Sequence, residues 1–243
     1  MTSLLAERQG SAVTAVIPAL NEAESLGAVL AELPWDAVHE VIVVDGGSSD
    51  DTELVARSGG ARVIHEHRRG YGWACAAGLA AARGEFVVFL DGDGTDDPGQ
   101  IPQLLDPLLK GQADLVLGSR LRGTITAGAM PFHQRWGNLL VGWMFRVLYG
   151  VPITDISPFR AARREELLGL GLEEMTYGWT AEMLVKAVRR GWRVMEVPTG
   201  CRGRRAGRSK IIGTWRGTWL ATWRILVTLL RYARPWAQPR RQG

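Results

Sequence analysis

The chain has 243 residues, 46% of them hydrophobic and 22% charged, with only two cysteines, Cys75 and Cys201, far apart in sequence. That length and apolar content suit one sizeable domain with an appendage and exclude a disordered chain; the cysteine pattern excludes a disulfide framework or a zinc site. The net charge of +4 hides an asymmetry, because no acidic residue follows Glu196 while eleven Lys or Arg do, setting a basic tail on a net acidic body. Such segregation implies an anionic partner: lipid, nucleic acid or a phosphate substrate.

From the N-terminus, the first ten residues include Glu7 and Arg8 and hold no apolar run long enough for a signal peptide. No stretch of about 18 uncharged apolar residues occurs, so no transmembrane helix is expected. Strands are predicted over Val13–Ile17, Val41–Val44, Arg62–Ile64, Phe86–Leu90 and Leu115–Leu117, all rich in β-branched or aromatic residues. Between them, Glu22–Leu33, Asp51–Arg57, Trp73–Arg83 and Pro98–Lys110 have the spacing of helices. This alternation predicts an α/β domain, a mostly parallel, Rossmann-like sheet flanked by helices. After Arg120 the pattern loosens. Pro131–Tyr149 reads as a helix, with Trp136, Leu139, Leu140, Trp143, Met144 and Val147 at helical spacing; Thr154–Arg160 is a polar loop; Thr180–Arg190 is a helix and Trp192–Val197 a strand; Gly203–Lys210 is a basic loop.

In a parallel sheet, ligands bind beyond the carboxyl ends of the strands. Three polar loops lie there: Pro18–Glu22, Asp45–Asp50 and Asp91–Asp97. Carboxylates two apart at a strand end, Asp91 and Asp93, can clamp Mg²⁺ or Mn²⁺, whose open coordination positions accept substrate phosphates. In the second loop Asp45 can accept hydrogen bonds from a base N–H, and the glycines permit close backbone approach. Asp96 or Asp97 is expected to cap the helix that starts near Pro98. His65, His67 and His133 show no metal-ligand spacing.

Val16-Ile17-Pro18-Ala19-Leu20-Asn21-Glu22, then Val43-Val44-Asp45-Gly46-Gly47-Ser48-Ser49-Asp50-Asp51-Thr52, then Gly84 to Asp93, resemble the signature of family 2 inverting glycosyltransferases with the GT-A fold. The similarity spans Val13 to Arg160. Gly118-Ser119-Arg120 and Thr154-Asp155-Ile156-Ser157-Pro158-Phe159-Arg160 bring the chain nearest to the polyprenyl-phosphate, dolichol-phosphate mannose synthase-like transferases. The resemblance implies that Pro18, Glu22 and Asp45 bind the nucleoside, with Asn21, Gly46 and Ser48 beside them. It implies that Asp91 and Asp93 bind metal and diphosphate, and that Arg120, Ser157 and Arg160 lie near an acceptor phosphate. Two positions depart: Pro158 stands where the mannose synthases usually have Gly, and Thr95-Asp96-Asp97 lacks their usual Gln.

Inverting transfer is one displacement at the anomeric carbon. A hydroxyl acceptor needs a general base, whereas a lipid phosphate is already an anion and needs cations to hold it beside the donor. Arg120, Arg135, Arg160, Arg208 and Lys210 are candidates for those cations. Glu182 falls about where hydroxyl-directed relatives carry their base, and Asp155 is a comparable candidate, so Asp93, Asp155 and Glu182 form the expected catalytic set.

On a helical wheel of Lys210–Tyr232, Lys210, Arg216, Arg224 and Arg231 share one side, and Ile211, Ile212, Trp215, Trp219, Trp223, Leu226, Leu229 and Leu230 the other. That is the pattern of an amphipathic helix lying at an anionic membrane surface. The expected organisation is a GT-A domain over 1–200, with a nucleotide-sugar half at about 11–120 and an acceptor half at about 121–200, followed by a basic loop and interfacial helix over 201–243. The expected function is inverting transfer of a hexose, glucose or mannose, from a UDP- or GDP-sugar to a polyprenyl phosphate. Its expected place is the cytoplasmic side of the cell membrane, as a peripheral protein, with room for a partner membrane protein or flippase. The same fold with a hydroxyl acceptor (a glycan or glycerol derivative) and a membrane-bound non-catalytic scaffold are the alternatives. The tail tryptophans could stack bases, but no recognition module accompanies them, so nucleic acid is not an expected partner.

Overall fold

A computed structural model describes residues 12–204 and 215–233. Its centre is a seven-stranded sheet in the order β3-β2-β1-β4-β6-β5-β7, with β1 Val13–Ala19, β2 Glu40–Asp45, β3 Arg62–His65, β4 Phe86–Phe89, β5 Leu115–Ser119, β6 Arg160–Arg163 and β7 Val194–Pro198. Every neighbouring pair is parallel except those of β6, which runs antiparallel to β4 and β5. The expected strands agree with β1–β5 and β7 apart from their ends. β6 falls at the edge of the segment read as a polar loop. Arg-Ala-Ala-Arg has no β-branched residue to mark it; it becomes a strand because it fills the slot between β4 and β5.

The helices are α1 Ala23–Ala31, α2 Thr52–Ser58, α3 Tyr71–Ala81, α4 Ile101–Leu109, α5 Phe132–Tyr149, α6 Arg164–Gly169, α7 Trp179–Arg189 and α8 Trp215–Arg231. The alternation of the strands sorts the core. Val16, Ile42, Val44, Val87, Phe89, Leu115 and Leu117 face α3, α5, α7 and α8. Ala15, Ile17, Val41, Val43, Phe86, Val88 and Val116 face α1 and α4. Both faces are covered, which is why these strands read as continuous apolar runs. Ile101, Leu104, Leu105 and Leu108 give α4 its buried stripe, and the Asp97 carboxylate caps the turn before it by accepting from Gly99 N–H at 3.2 Å. In α3, Gly78 lets the helix lie flush on the sheet, since a Cβ there would sit 2.3 Å from Val16 Cγ1.

Two helices carry apolar residues in a way their periodicity does not disclose. The buried face of α5 is Val141 and Phe145, with Gly142 placed so that a Cβ would meet the Ile153 carbonyl at 2.5 Å. The residues that mark α5 as a helix, Trp136, Leu139, Leu140, Trp143 and Val147, are exposed, Trp143 at 62%. In α8, Thr228 and Leu229 are buried while Trp223 and Leu230 are exposed. Its last turns are held by Tyr149 Oη donating to the Leu229 carbonyl at 2.6 Å and by Arg189 Nη1 donating to the Tyr232 carbonyl at 3.0 Å. No described helix is long and apolar enough to cross a membrane.

Candidate active site

The carboxyl ends of β1, β2 and β4 open onto one cavity of about 460 Å³, lined by Pro18, Ala19, Leu20, Glu22, Gly46 and Gly47 from the first two loops and by Asp91, Gly92 and Asp93 from the third. Glu66, Arg68, Arg69, Gly70, Tyr71, Ala74, Tyr177 and Arg204 complete its wall.

The first two loops are clasped to each other. Asn21, the one described non-glycine residue with positive φ, at 49°, donates its backbone N–H to Ser48 Oγ at 2.8 Å and accepts from Ser49 N–H at 2.7 Å. Asn is the residue type that tolerates this conformation best. Glu22 N–H donates to Thr52 Oγ1 at 2.8 Å, and Gly46 N–H donates to the Ala19 carbonyl at 2.9 Å. Asp45, 5% exposed, accepts from the Ser48 N–H and hydroxyl. Of the residues expected at the nucleotide, Pro18, Glu22, Gly46 and Asp91 line the cavity; Asn21, Asp45 and Ser48 build the clasp under it.

The third loop concentrates negative charge. Asp93 Oδ1 accepts from the Thr95 N–H and hydroxyl at 2.9 and 2.7 Å. Tyr71 Oη donates to Asp91 Oδ1 at 3.2 Å. Burial, then the charges of Asp93 and Asp96, hold the Asp91 carboxyl well above the usual range. Asp96 is pushed up to about 7 by burial, with Asp93 and Asp155 adding and Arg120 opposing. Asp96 Oδ1 is buried with no hydrogen-bond partner among the described residues. Acidic groups crowded this way are a charge excess that a divalent cation relieves. No converging group of three His, Cys, Asp or Glu forms among the described residues. Asp91 and Asp93 both line the cavity, and two carboxylates suit a cation that completes its shell with phosphate oxygens and water.

Of the groups expected to do chemistry or hold an acceptor, Asp93 lines the cavity, whereas Arg120, Asp155, Ser157, Arg160 and Glu182 are not among the lining residues. Arg120 forms a buried fork with Asp155, Nε to Oδ2 and Nη2 to Oδ1 both at 2.8 Å, and its backbone N–H adds a third bond at 3.0 Å. Burial opposes the Arg120 charge, but the adjacent Asp155 carboxylate outweighs it and raises the pKa. Asp155 is thus engaged and fully buried. Glu182 is also fully buried. It accepts from Glu173 N–H, Glu174 N–H and Tyr232 Oη at 2.9, 2.6 and 2.7 Å and pairs with Lys186 at 2.8 Å. Neither is among the residues that line the cavity, and in this arrangement both organise loops.

Arg160 and Ser157, expected near an acceptor phosphate, are both fully buried. The Arg160 guanidinium donates to the carbonyls of Ser157 and Thr180, the latter at 2.9 Å, and burial lowers its pKa to about 10. Ser157 Oγ accepts from Phe159 N–H at 3.2 Å. Arg135 is exposed on α5, away from the cavity wall. Arg208 and Lys210 lie outside the described residues.

Sequence reasoning missed Arg68 and Arg69 on the cavity wall, and also Tyr71, Tyr177 and Arg204. Tyr71 precedes the expected start of its helix; the signal was Gly70-Tyr71-Gly72, whose glycines face the Met175 backbone, a Cβ on Gly72 meeting it at 2.6 Å. Tyr177 comes from the loop that Glu182 holds. Arg204, from the basic loop, reaches Asp93 Oδ2 at 2.7 Å and Glu22 Oε1 at 3.1 Å.

The profile of Glycosyl transferase family 2 matches residues 14–169. An uncharacterised glycosyltransferase of Mycobacterium tuberculosis is 44% identical over 208 residues, covering 86% of this chain and 93% of that protein. An undecaprenyl-phosphate mannosyltransferase of Micrococcus luteus is 34% identical over 220 residues, covering 83% and 88%. Among solved structures, glucosyl-3-phosphoglycerate synthase of Mycobacterium tuberculosis in complex with Mn²⁺, UDP and phosphoglyceric acid superimposes with a TM-score of 0.76 at 28% identity, covering 96% of this chain and 82% of that one.

Proposed function

Because the chain belongs to glycosyl transferase family 2 and has a GT-A-like fold, we propose that this glycosyltransferase moves a hexose, glucose or mannose, with inversion from a UDP- or GDP-sugar to a polyprenyl phosphate at the cytoplasmic membrane face. The observation that carries the acceptor class is that both carboxylates expected from the sequence as a base for a hydroxyl, Asp155 and Glu182, are buried in ion pairs and hydrogen bonds. An acceptor that arrives as an anion needs neither.

The nucleoside lies against Pro18, Ala19, Gly46 and Gly47, where the absence of side chains at the glycines leaves room for it. Asp91 and Asp93 are the residues that would hold Mg²⁺ or Mn²⁺, and the ion supplies neutralisation of the leaving diphosphate. Tyr71 orients Asp91 through its hydroxyl. Arg69 sets positive charge on the cavity wall, where a second phosphate must approach the donor against like-charge repulsion.

The membrane side of the reading rests on α5 and α8, which pack against each other. Phe132, Trp136 and Trp143 on one and Trp223 and Leu230 on the other are exposed. No acidic residue lies between Asp114 and Asp155, a segment with Arg120, Arg122, Arg135 and Arg146, and none follows Glu196. Exposed aromatics beside such Arg-rich segments suit an anionic lipid surface, with Arg224 and Arg231 of α8 also reaching Glu174 and Glu173. The body therefore contributes an apolar stripe of its own beside that of the tail. A hydroxyl acceptor such as phosphoglycerate is the second reading, favoured by the structural likeness to the synthase above. Nuclear magnetic resonance of the product made from an α-linked donor tests the first. A β-linked hexosyl phosphate supports it; an α-linked product, or a glycoside on a hydroxyl, rejects it.

A further inference from the structure

We infer that Arg204 is a resident cation of the donor site that competes with the divalent metal for Asp93 and passes to the donor diphosphate when metal and nucleotide bind together; this rests on the reading of the cavity as a metal-assisted nucleotide-sugar site. The backbone after β7 is pegged across the acidic loop. Cys201 N–H donates to the Thr124 carbonyl, Thr126 N–H to the Cys201 carbonyl and Arg202 N–H to the Thr95 carbonyl, each at 2.9 Å. The Arg202 guanidinium clamps the same crossing, 2.6 Å from Glu32 and 2.8 Å from Asp97. Two residues on, Arg204 is thereby delivered to the cavity, where its fork bridges Asp93 Oδ2 at 2.7 Å and Glu22 Oε1 at 3.1 Å. It links the first and third loops across the space that the donor would occupy.

The two oxygens of Asp93 are both engaged: Oδ1 by Thr95 and Oδ2 by Arg204. A metal ion at roughly 2.1 Å from Oδ2 would sit against the guanidinium, and two cations on one oxygen repel. Binding of metal at Asp93 therefore requires Arg204 to let go. Its backbone pegs keep the released side chain local, and the planar fork is matched to two phosphate oxygens. The diphosphate of the donor is the anion that the same cavity would then hold. Metal alone meets a competitor; metal with nucleoside diphosphate recruits it. The two ligands are thus coupled, and the coupling is reciprocal.

Titration calorimetry on the full chain with Mn²⁺ alone, and then with UDP or GDP at saturating Mn²⁺, compares the wild type with Arg204→Gln and Arg204→Lys. Side-chain exposure at Arg204 is 22%, so the substitutions need not disturb the fold, and circular dichroism checks that. Arg204→Gln should bind Mn²⁺ alone more tightly, on the order of fivefold, the worth of a partly exposed ion pair. It should bind the nucleoside diphosphate more weakly by about tenfold or more, as loss of a charge-assisted fork implies. Arg204→Lys should fall between, and UMP should lose less than UDP. If Arg204→Gln leaves Mn²⁺ affinity unchanged or weaker while the wild type binds both ligands, Arg204 is no competitor and the inference fails alone. If the wild type binds neither Mn²⁺ nor nucleotide, the donor-site reading fails and takes the inference with it.

Discussion

The Tyr232 hydroxyl donates to Glu182 Oε1 at 2.7 Å, while Glu182 Oε2 takes the backbone N–H groups of Glu173 and Glu174. One buried carboxylate thus ties the end of α8 to the loop that supplies Tyr177 to the cavity. The arrangement separates two roles for Glu182 by experiment. As an organiser, Glu182→Gln should lower stability by about 1.5–3 kcal/mol, the value of hydrogen bonds to a charged group, and raise KM for the donor while kcat stays within about tenfold. As a base, the same change would cut kcat by about 10²–10⁴ with little change in Tm. Thermal melts and steady-state kinetics on one preparation decide between them.

The same carboxylate has a pH signature. Burial raises its pKa, but Lys186, the Glu174 N–H, Tyr232 and the Glu173 N–H together lower it below the usual value of 4.5. A depressed acid stabilises the fold above its unfolded pKa, and that contribution is lost as pH falls through the folded value. Melting temperature should therefore drop as pH is lowered beneath 4.5, and Glu182→Gln should flatten that part of the profile. Equal slopes for wild type and variant would remove Glu182 from the linkage.

Asp155 and Arg120 offer a sharper stability test. Removing one partner of a buried pair leaves an uncompensated charge and costs about 3–5 kcal/mol. Asp155→Ala should therefore unfold at markedly lower denaturant, whereas the exposed Arg135→Ala should shift the midpoint little. Near-equal midpoints would mean that the Arg120 fork contributes no stability.

Membrane attachment is best probed without truncation. Leu229 is buried and Tyr232 serves Glu182, so deleting the tail opens the core as well as removing its surface. Trp136→Ser with Trp143→Ser on α5, and Trp223→Ser with Leu230→Ser on α8, change exposed residues only. Each pair should reduce cosedimentation with anionic liposomes, and salt should weaken but not abolish the wild-type binding, because charge attraction is screened and apolar insertion is not. Unchanged cosedimentation of both pairs would rule this face out.

Much of this was legible in the sequence because the sheet is buried on both sides. Val41–Val44 and Leu115–Leu117 can hardly be anything but interior strands, and the strand-end rule leads directly to Asp91 and Asp93. What could not be read was direction and pairing. Arg120, Arg160, Asp155 and Glu182 are charged residues at strand ends, in loops or near helix starts, a pattern shared by ligand groups and by structural pairs. Only the fold shows that Asp155 meets Arg120 and that Arg160 is enclosed by carbonyls. The helical spacing of Trp136, Leu139 and Trp143 identifies α5 but not which way it faces, since Val141 and Phe145 supply a second apolar side. Arg204 was visible only as one of several arginines in a basic loop, with nothing local to single it out.

The acceptor decides the account. Purified chain with Mn²⁺, labelled UDP- or GDP-hexose and equal amounts of a short polyprenyl phosphate and of 3-phosphoglycerate should place the label in the organic phase, released by mild acid as a hexosyl phosphate is. Label confined to the aqueous phase on phosphoglycerate, with none on the lipid, would contradict it.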